Sequence, residues 1–265
     1  MSISVIAVNY KTPALVYELV RQMRGIPAVS KMILVDNSGE LEADALAGGP
    51  GATLLKNREN VGFGAAVNQA ASHAATDWVL IVNPDVRVSG ESLDHLMEAA
   101  MQYGAPLATP RFYWDDDRQF RLPPATGTSW GHYMGHRYAE VFPLDAALYS
   151  FYWAIRHDRY WEATAPFFDP FISGACLLVN TEWMPSEGGG LFDERFFLYY
   201  EDTDLSARAL LENACPICVP GAEAVHYYNQ SPASGQEKEN LIAASEAQFF
   251  EKYYGRHPAG LAMAS

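Results

Sequence analysis

Long apolar runs, basic clusters and paired cysteines are all scarce in this 265-residue chain. No run of about 18 apolar residues occurs, so no membrane-spanning helix is expected. The first ten residues enter an apolar strand directly. They have no basic stretch and no small-residue cleavage site, so no secretory leader is expected and a cytoplasmic location is. Lysine and arginine number 18 against 32 aspartates and glutamates, a formal net charge of −14. Nucleic acid is thereby excluded as a partner, because phosphate backbones are bound by clustered Lys and Arg. An anionic membrane surface is disfavoured for the same reason. The cysteines are Cys176, Cys215 and Cys218, an odd count that argues against a disulfide framework. Cys215-Pro-Ile-Cys218 has zinc-like spacing, but a structural zinc site needs four ligands and no second such pair exists. These cysteines read as apolar residues flanking a strand.

What the chain does have is the composition of a globular protein, 49% hydrophobic and 13% aromatic. Apolar, β-branched runs at 3–8, 32–35, 53–55, 78–82 and 107–109 read as strands. Between them lie helical patterns: one opened by Thr12-Pro13, an Ala-rich one over 62–75, and one capped by Ser89 with Leu93, Leu96 and Met97 inward. This alternation predicts an α/β fold with a mostly parallel central sheet flanked by helices. Residues 112–170 break the rhythm with an aromatic-rich stretch containing helical pieces. A strand over 172–179, a helix over 203–213, a strand ending near His226 and a helix over 237–254 complete the expected single domain. Its parts are a first half (1–110), a second half (111–230) and a closing helix (231–265).

Ligands of such sheets bind at the carboxyl ends of the strands. Asn9, Asp36 and Asp85 all follow strands. Gly62-Phe63-Gly64-Ala65-Ala66-Val67 fails the dinucleotide fingerprint at its third glycine. Its small residues still allow close backbone approach at a helix start, with Asn60 and Asn68 flanking the turn. Asn83-Pro84-Asp85 presents one carboxylate at a strand end. Mg²⁺ commonly takes one or two such carboxylates plus substrate phosphates. The sharpest signal is Phe196-Phe197-Leu198-Tyr199-Tyr200-Glu201-Asp202-Thr203-Asp204. Helix capping accounts for one carboxylate there. Three in four positions repel one another and require relief by a cation, a proton or a ligand. His226, taken alone, reads more readily as a core residue than as a ligand.

As an ordered set these landmarks resemble the family 2 glycosyltransferases of the GT-A fold, nearest their rhamnosyltransferase-like branch. They run from S-V-I-A-V-N-Y at Ser4 through V-D-N-S, N-x-G-F-G-A-A-x-N, N-P-D-V, G-A-C-L-L-V and F-D-E-R-F-F-L-Y-Y-E-D-T-D-L-S-x-R to K-Y-Y-G at Lys252. The resemblance implies a nucleotide-sugar donor, a dTDP- or UDP-sugar and by analogy dTDP-rhamnose. It implies a saccharide or lipid-linked saccharide acceptor, with the protein peripheral at the inner membrane face through that acceptor. Asn9, Asp36, Asn60, Gly62, Asn68, Asn83 and Asp204 would contact the nucleotide-sugar, and 1–110 would be the nucleotide-binding half. Asp85 would hold Mg²⁺ or Mn²⁺, joined by His226. Asp202, preceded by Glu201, would be the catalytic base, since a hydroxyl nucleophile needs a proton acceptor. Base and metal on opposite sides of the sugar imply inversion at the anomeric carbon. Asn83 stands where the family's D-x-D motif has its first Asp, which keeps a degenerate sugar-binding protein open as an alternative. A nucleotidyltransferase is the other enzyme class considered; the early loops lack the basic glycine loop it needs for a triphosphate. Trp130, His132 and Trp153 are candidate acceptor contacts within the aromatic stretch. The oligomeric state is left open.

Overall fold

A computed structural model describes residues 2–43, 51–124, 143–183, 190–227 and 235–255. Among them, nine strands form one mixed sheet. Strands β1 (Ile3–Asn9), β2 (Val29–Asp36), β3 (Ala52–Lys56) and β4 (Trp78–Val82) pair in parallel, as the sequence predicts. The remaining strands are β5 (Val86–Val88), β6 (Leu107–Tyr113), β7 (Phe167–Phe168), β8 (Cys176–Asn180) and β9 (Ile217–His226). The order is β3-β2-β1-β4-β8-β6-β9-β5, with β7 also on β9. Strand β8 runs antiparallel to both β4 and β6, so parallel pairing gives way to mixed pairing at the sheet centre.

Every residue of β1 is buried, the mark of a strand covered on both faces. Alternation sorts its side chains: Ile3, Val5 and Ala7 join the core containing Leu19, Met23, Leu93 and Leu96. Ile6 and Val8 face the opposite core, with Ala66, Val67, Phe192 and Leu205. The first core is covered by α1 (Pro13–Met23) and α3 (Gly90–Tyr103), the second by α2 (Phe63–Ala71) and α5 (Glu201–Leu211). Ser89 caps α3 as expected, its side chain accepting from the Ser92 amide.

The aromatic stretch yields one 20-residue helix, α4 (Pro143–Glu162), which docks through Tyr160 and Trp161 beside Cys218. The last helix, α6 (Gly235–Tyr254), packs Phe249 and Phe250 against Phe196. No described helix is long and apolar enough to cross a membrane. All three cysteines are free. Burial pushes the thiols of Cys176 and Cys218 up to about 12, so both remain unreactive thiols.

Candidate active site

The carboxyl ends of β1 and β2 carry Asn9 and Asp36. Asp36 is fully buried. Its oxygens accept from the amides of Ser38 (3.1 Å), Gly39 (3.0 Å) and Leu41 (2.8 Å) and from Asn9 Nδ2 (2.9 Å). Burial alone would raise this carboxyl, but these donors, the Leu41 amide foremost, hold it below its ordinary value. Asn9 in turn accepts the Thr12 amide at 3.1 Å, which ties the start of α1 to the same loop. Asp36, expected to contact the nucleotide-sugar, has these partners within the protein. Its oxygens are spent in shaping residues 36–41, whose backbone lines the strand end.

Asn60, Gly62 and Asn68 also have protein partners. Asn37 Nδ2 donates to Asn60 Oδ1 at 3.0 Å and to the Gly62 carbonyl at 3.2 Å. Gly62 has φ +88°, and a Cβ there would lie 2.4 Å from the Phe197 carbonyl oxygen. The Phe63 amide donates to that same carbonyl at 2.9 Å. Asn68 clasps the Phe192 backbone, donating to its carbonyl at 2.8 Å and accepting its amide at 3.0 Å. Close approach at this helix start does occur, as the small residues predict. What approaches is the 192–197 segment leading into the acidic motif, so these residues buttress that segment.

Between β4 and β5, Asn83-Pro84-Asp85 forms a turn in which Asn83 accepts the Val86 amide at 3.1 Å. Val86 pairs with His226 across β5 and β9, and the Asp85 carbonyl accepts the Tyr227 amide at 3.1 Å. Both constraints bring the two side chains together, with His226 Nε2 3.5 Å from Asp85 Oδ1. Asn83, Pro84 and Asp85 line a cleft of about 150 Å³ with Val8, Tyr10, Thr12 and Leu15. Among the described residues no cluster of three His, Cys, Asp or Glu side chains is placed to hold a metal. One carboxylate and one imidazole nevertheless fit Mg²⁺ or Mn²⁺, which complete their shells with phosphate oxygens and water.

The acidic motif opens α5, two residues earlier than the sequence suggests. Tyr199 and Tyr200 precede it with φ of +67° and +68°. Left-handed backbone costs a non-glycine residue roughly 1–2 kcal/mol and persists only where the surroundings enforce it. Asp202 Oδ1 accepts the Thr203 amide at 2.8 Å and Oδ2 accepts the Gly174 amide at 3.2 Å. The next residue, Ala175, accepts the Asn83 amide at 2.8 Å. Asp202 is thus one backbone hydrogen bond removed from the Asn83–Asp85 turn, at the same end of the sheet.

The three neighbouring carboxylates find three different kinds of relief. Asp204, expected to bind the nucleotide-sugar, is completely buried and points into the protein instead. It accepts from Arg208 Nε (2.8 Å), Lys252 Nζ (2.6 Å) and Tyr253 OH (2.8 Å). Glu201 is buried, and its Oε2 has no hydrogen-bond partner among the described residues. Burial, then the neighbouring Asp202 charge, pushes its carboxyl up to about 8, so it holds a proton near neutrality. Burial raises Asp202 as well, against the opposing pull of the Gly174 and Thr203 amides.

The sequence pattern of glycosyl transferase family 2 matches residues 4–164, more than half of the chain. The chain belongs to that family. It is 27% identical over 226 residues to the N-acetylglucosaminyl-diphospho-decaprenol L-rhamnosyltransferase of Mycobacterium tuberculosis, covering 78% of this chain and 68% of that protein. Among solved structures it is similar to GalNAc-T7 with UDP, GalNAc and Mn²⁺, with a TM-score of 0.62 and 13% identity over 93% of this chain and 48% of that one. The mannosyltransferase PcManGT of Pyrobaculum calidifontis, in complex with GDP-Man and Mn²⁺, gives a TM-score of 0.57 and 14% identity over 87% of this chain and 58% of that one. The chain therefore spans only about half the length of these two structures, and at such identity they show the fold alone. That fold is GT-A-like, as the sequence resemblance implies.

In this family 2 chain, Trp130 and His132 lie outside the described residues. Trp153 lies on α4, edge-on to Tyr152 with ring centroids 5.6 Å apart and beneath the Arg156 guanidinium. Residue-level reading missed Gly174, Lys252 and Tyr253. The K-Y-Y-G landmark near the carboxyl terminus is the signal that could have drawn attention to the last two.

Proposed function

We propose that the chain transfers a sugar from a nucleotide-sugar to an acceptor hydroxyl with inversion at the anomeric carbon. The observation that carries this reading is the link from Asp202 through Gly174 and Ala175 to Asn83, two residues before Asp85. It puts the Asp202 carboxylate and the Asp85–His226 pair at one end of the sheet. Asp202 accepts the proton of the attacking hydroxyl as the new bond forms. Its amide partners keep the carboxylate oriented, and the proton on Glu201 spares the site a second negative charge. Asp85 and His226 would hold the divalent cation, which supplies charge neutralisation for the departing diphosphate. Such a cation also offsets the repulsion between diphosphate and a strongly acidic protein.

The mycobacterial relative supports an L-rhamnosyl donor, with dTDP-rhamnose the first choice, and a lipid-linked diphosphate saccharide as acceptor. The Mn²⁺ in both structural neighbours supports the metal. An acceptor of this type brings the protein to a membrane face. The test is incubation with dTDP-rhamnose and a short-chain N-acetylglucosaminyl-diphospho-lipid, with the product anomer read by NMR. An inverted product whose formation stops on rigorous metal removal is expected. A retained configuration, full activity without metal, or binding without turnover across donors and acceptors would overturn the reading.

A further inference from the structure

The proposed chemistry leaves unused a buried charged cluster behind the acidic motif. Lys252 Nζ donates to Asp204 Oδ1 at 2.6 Å and to Asp193 Oδ2 at 2.8 Å. Tyr253 OH donates to the same Asp204 oxygen at 2.8 Å. Both donors stand in the last turn of α6. The same helix also reaches the segment between the two acids. Ser245 Oγ donates to the Leu198 carbonyl at 2.8 Å, and Glu246 accepts from Tyr200 OH at 2.9 Å. Phe249 packs against Tyr200 with ring centroids 5.6 Å apart. One helix thus grips residues 193–204 on both sides of the left-handed Tyr199–Tyr200 pair.

A purely structural ion pair would leave a stranded charge when one partner is removed. Here each acid keeps an arginine without Lys252. Asp193 retains Arg195 at 2.6 Å and Asp204 retains Arg208 at 2.8 Å. What Lys252 adds is the tie between the start of the segment, at Asp193, and the first turn of α5, at Asp204. The two left-handed tyrosines lie between those points, immediately before Glu201 and Asp202. Without the tie, that backbone keeps the Ser245, Glu246, Phe63 and Arg208 contacts but loses its only lysine bridge between Asp193 and Asp204 among the described residues, and a shift there moves the base with it. Displacements of about 1 Å at a reacting group cost on the order of a hundredfold in rate.

We infer that Lys252, assisted by Tyr253, is a positioning residue for the transfer reaction, holding the first turn of α5 so that Asp202 meets the acceptor hydroxyl. This rests on the reading of Asp202 as the base.

The experiment compares wild type, Lys252→Met, Lys252→Arg, Tyr253→Phe and Asp202→Asn in steady-state transfer, with thermal melting of each. Lys252→Met is expected to lower kcat roughly tenfold or more with donor KM within about twofold of wild type, Lys252→Arg to recover part of that loss, and Tyr253→Phe to lower kcat about threefold. Unchanged kcat in folded Lys252→Met, or equal loss in kcat and donor affinity tracking the folded fraction, would overturn the inference. Should Lys252→Met not fold, Lys252→Arg and Tyr253→Phe decide the question, and wild-type kcat in both overturns the inference. An inactive wild type, or an active Asp202→Asn, indicts the parent reading instead.

Discussion

The amide of Gly174 donates to Asp202 Oδ2 at 3.2 Å, and a Cβ on Gly174 would lie 3.6 Å from the Asp202 Cβ. This contact joins the acidic motif to the segment entering β8. Through Ala175 it continues to the Asn83 turn. Two groups far apart in sequence, Asp85 and Asp202, thereby share one sheet end, which is what an inverting displacement asks of a protein.

Replacing Asp202 by Asn removes the proton acceptor and leaves one oxygen to accept one of the two amides, Thr203 or Gly174, that the carboxylate holds. Transfer should fall about 10²–10⁴-fold, while nucleotide-sugar affinity, read by calorimetry, stays within about threefold. Equal loss of affinity and rate would make Asp202 a binding residue.

Glu201→Gln tests the proton held beside the base. A carboxyl raised in the folded state favours folding fully below its unfolded value of 4.5, and that contribution is lost as pH rises to about 8. The wild-type melting temperature should therefore decline across this window relative to that of Glu201→Gln, whose curve is flatter. Parallel curves would show that Glu201 is ionised in the folded protein at neutral pH.

Gly62→Ala forces a Cβ to 2.4 Å from the Phe197 carbonyl at φ +88°. The strain and clash together should cost about 2 kcal/mol or more, read as a shift in urea midpoint with unchanged slope. A stability equal to wild type would mean that the 60–64 turn does not sit against the 192–197 segment.

His226→Ala should raise the Mn²⁺ concentration for half-maximal transfer roughly tenfold, the equivalent of about 1.4 kcal/mol. The rate at saturating metal should stay within about threefold. An unchanged metal requirement would leave His226 as a neighbour of Asp85 without a share in the cation.

Local chemistry made much of this fold legible. Trp78–Val82 is a strand in sequence and structure alike, because a continuous apolar run bounded by Asn83-Pro84 has no competing reading. The cap at Ser89 was equally clear. The run from Ile172 reads as strand throughout, yet pairing begins only at Cys176. Residues 172–175 spend their amides elsewhere, Ile172 on Ser206 and Gly174 on Asp202. The three-residue β5 is too short to show a period. Within the site, residue type revealed that Asp204, Asn68 and Asp36 matter, but not to what they bond. Their partners are a lysine 48 residues away, a phenylalanine backbone 124 residues away and a loop folded back on itself. Those contacts are products of tertiary packing, which local pattern does not encode.

The most direct test is the crystal structure of Asp202→Asn with intact nucleotide-sugar and Mn²⁺, with the metal located by anomalous scattering. If Asp85 holds the cation and Asp202 is the base, a metal peak will be bonded to an Asp85 oxygen at roughly 2.0–2.2 Å. The anomeric carbon will then lie between that metal and position 202, with position 202 on its side away from the diphosphate. A metal peak remote from Asp85, or an anomeric carbon turned away from position 202, would contradict both assignments.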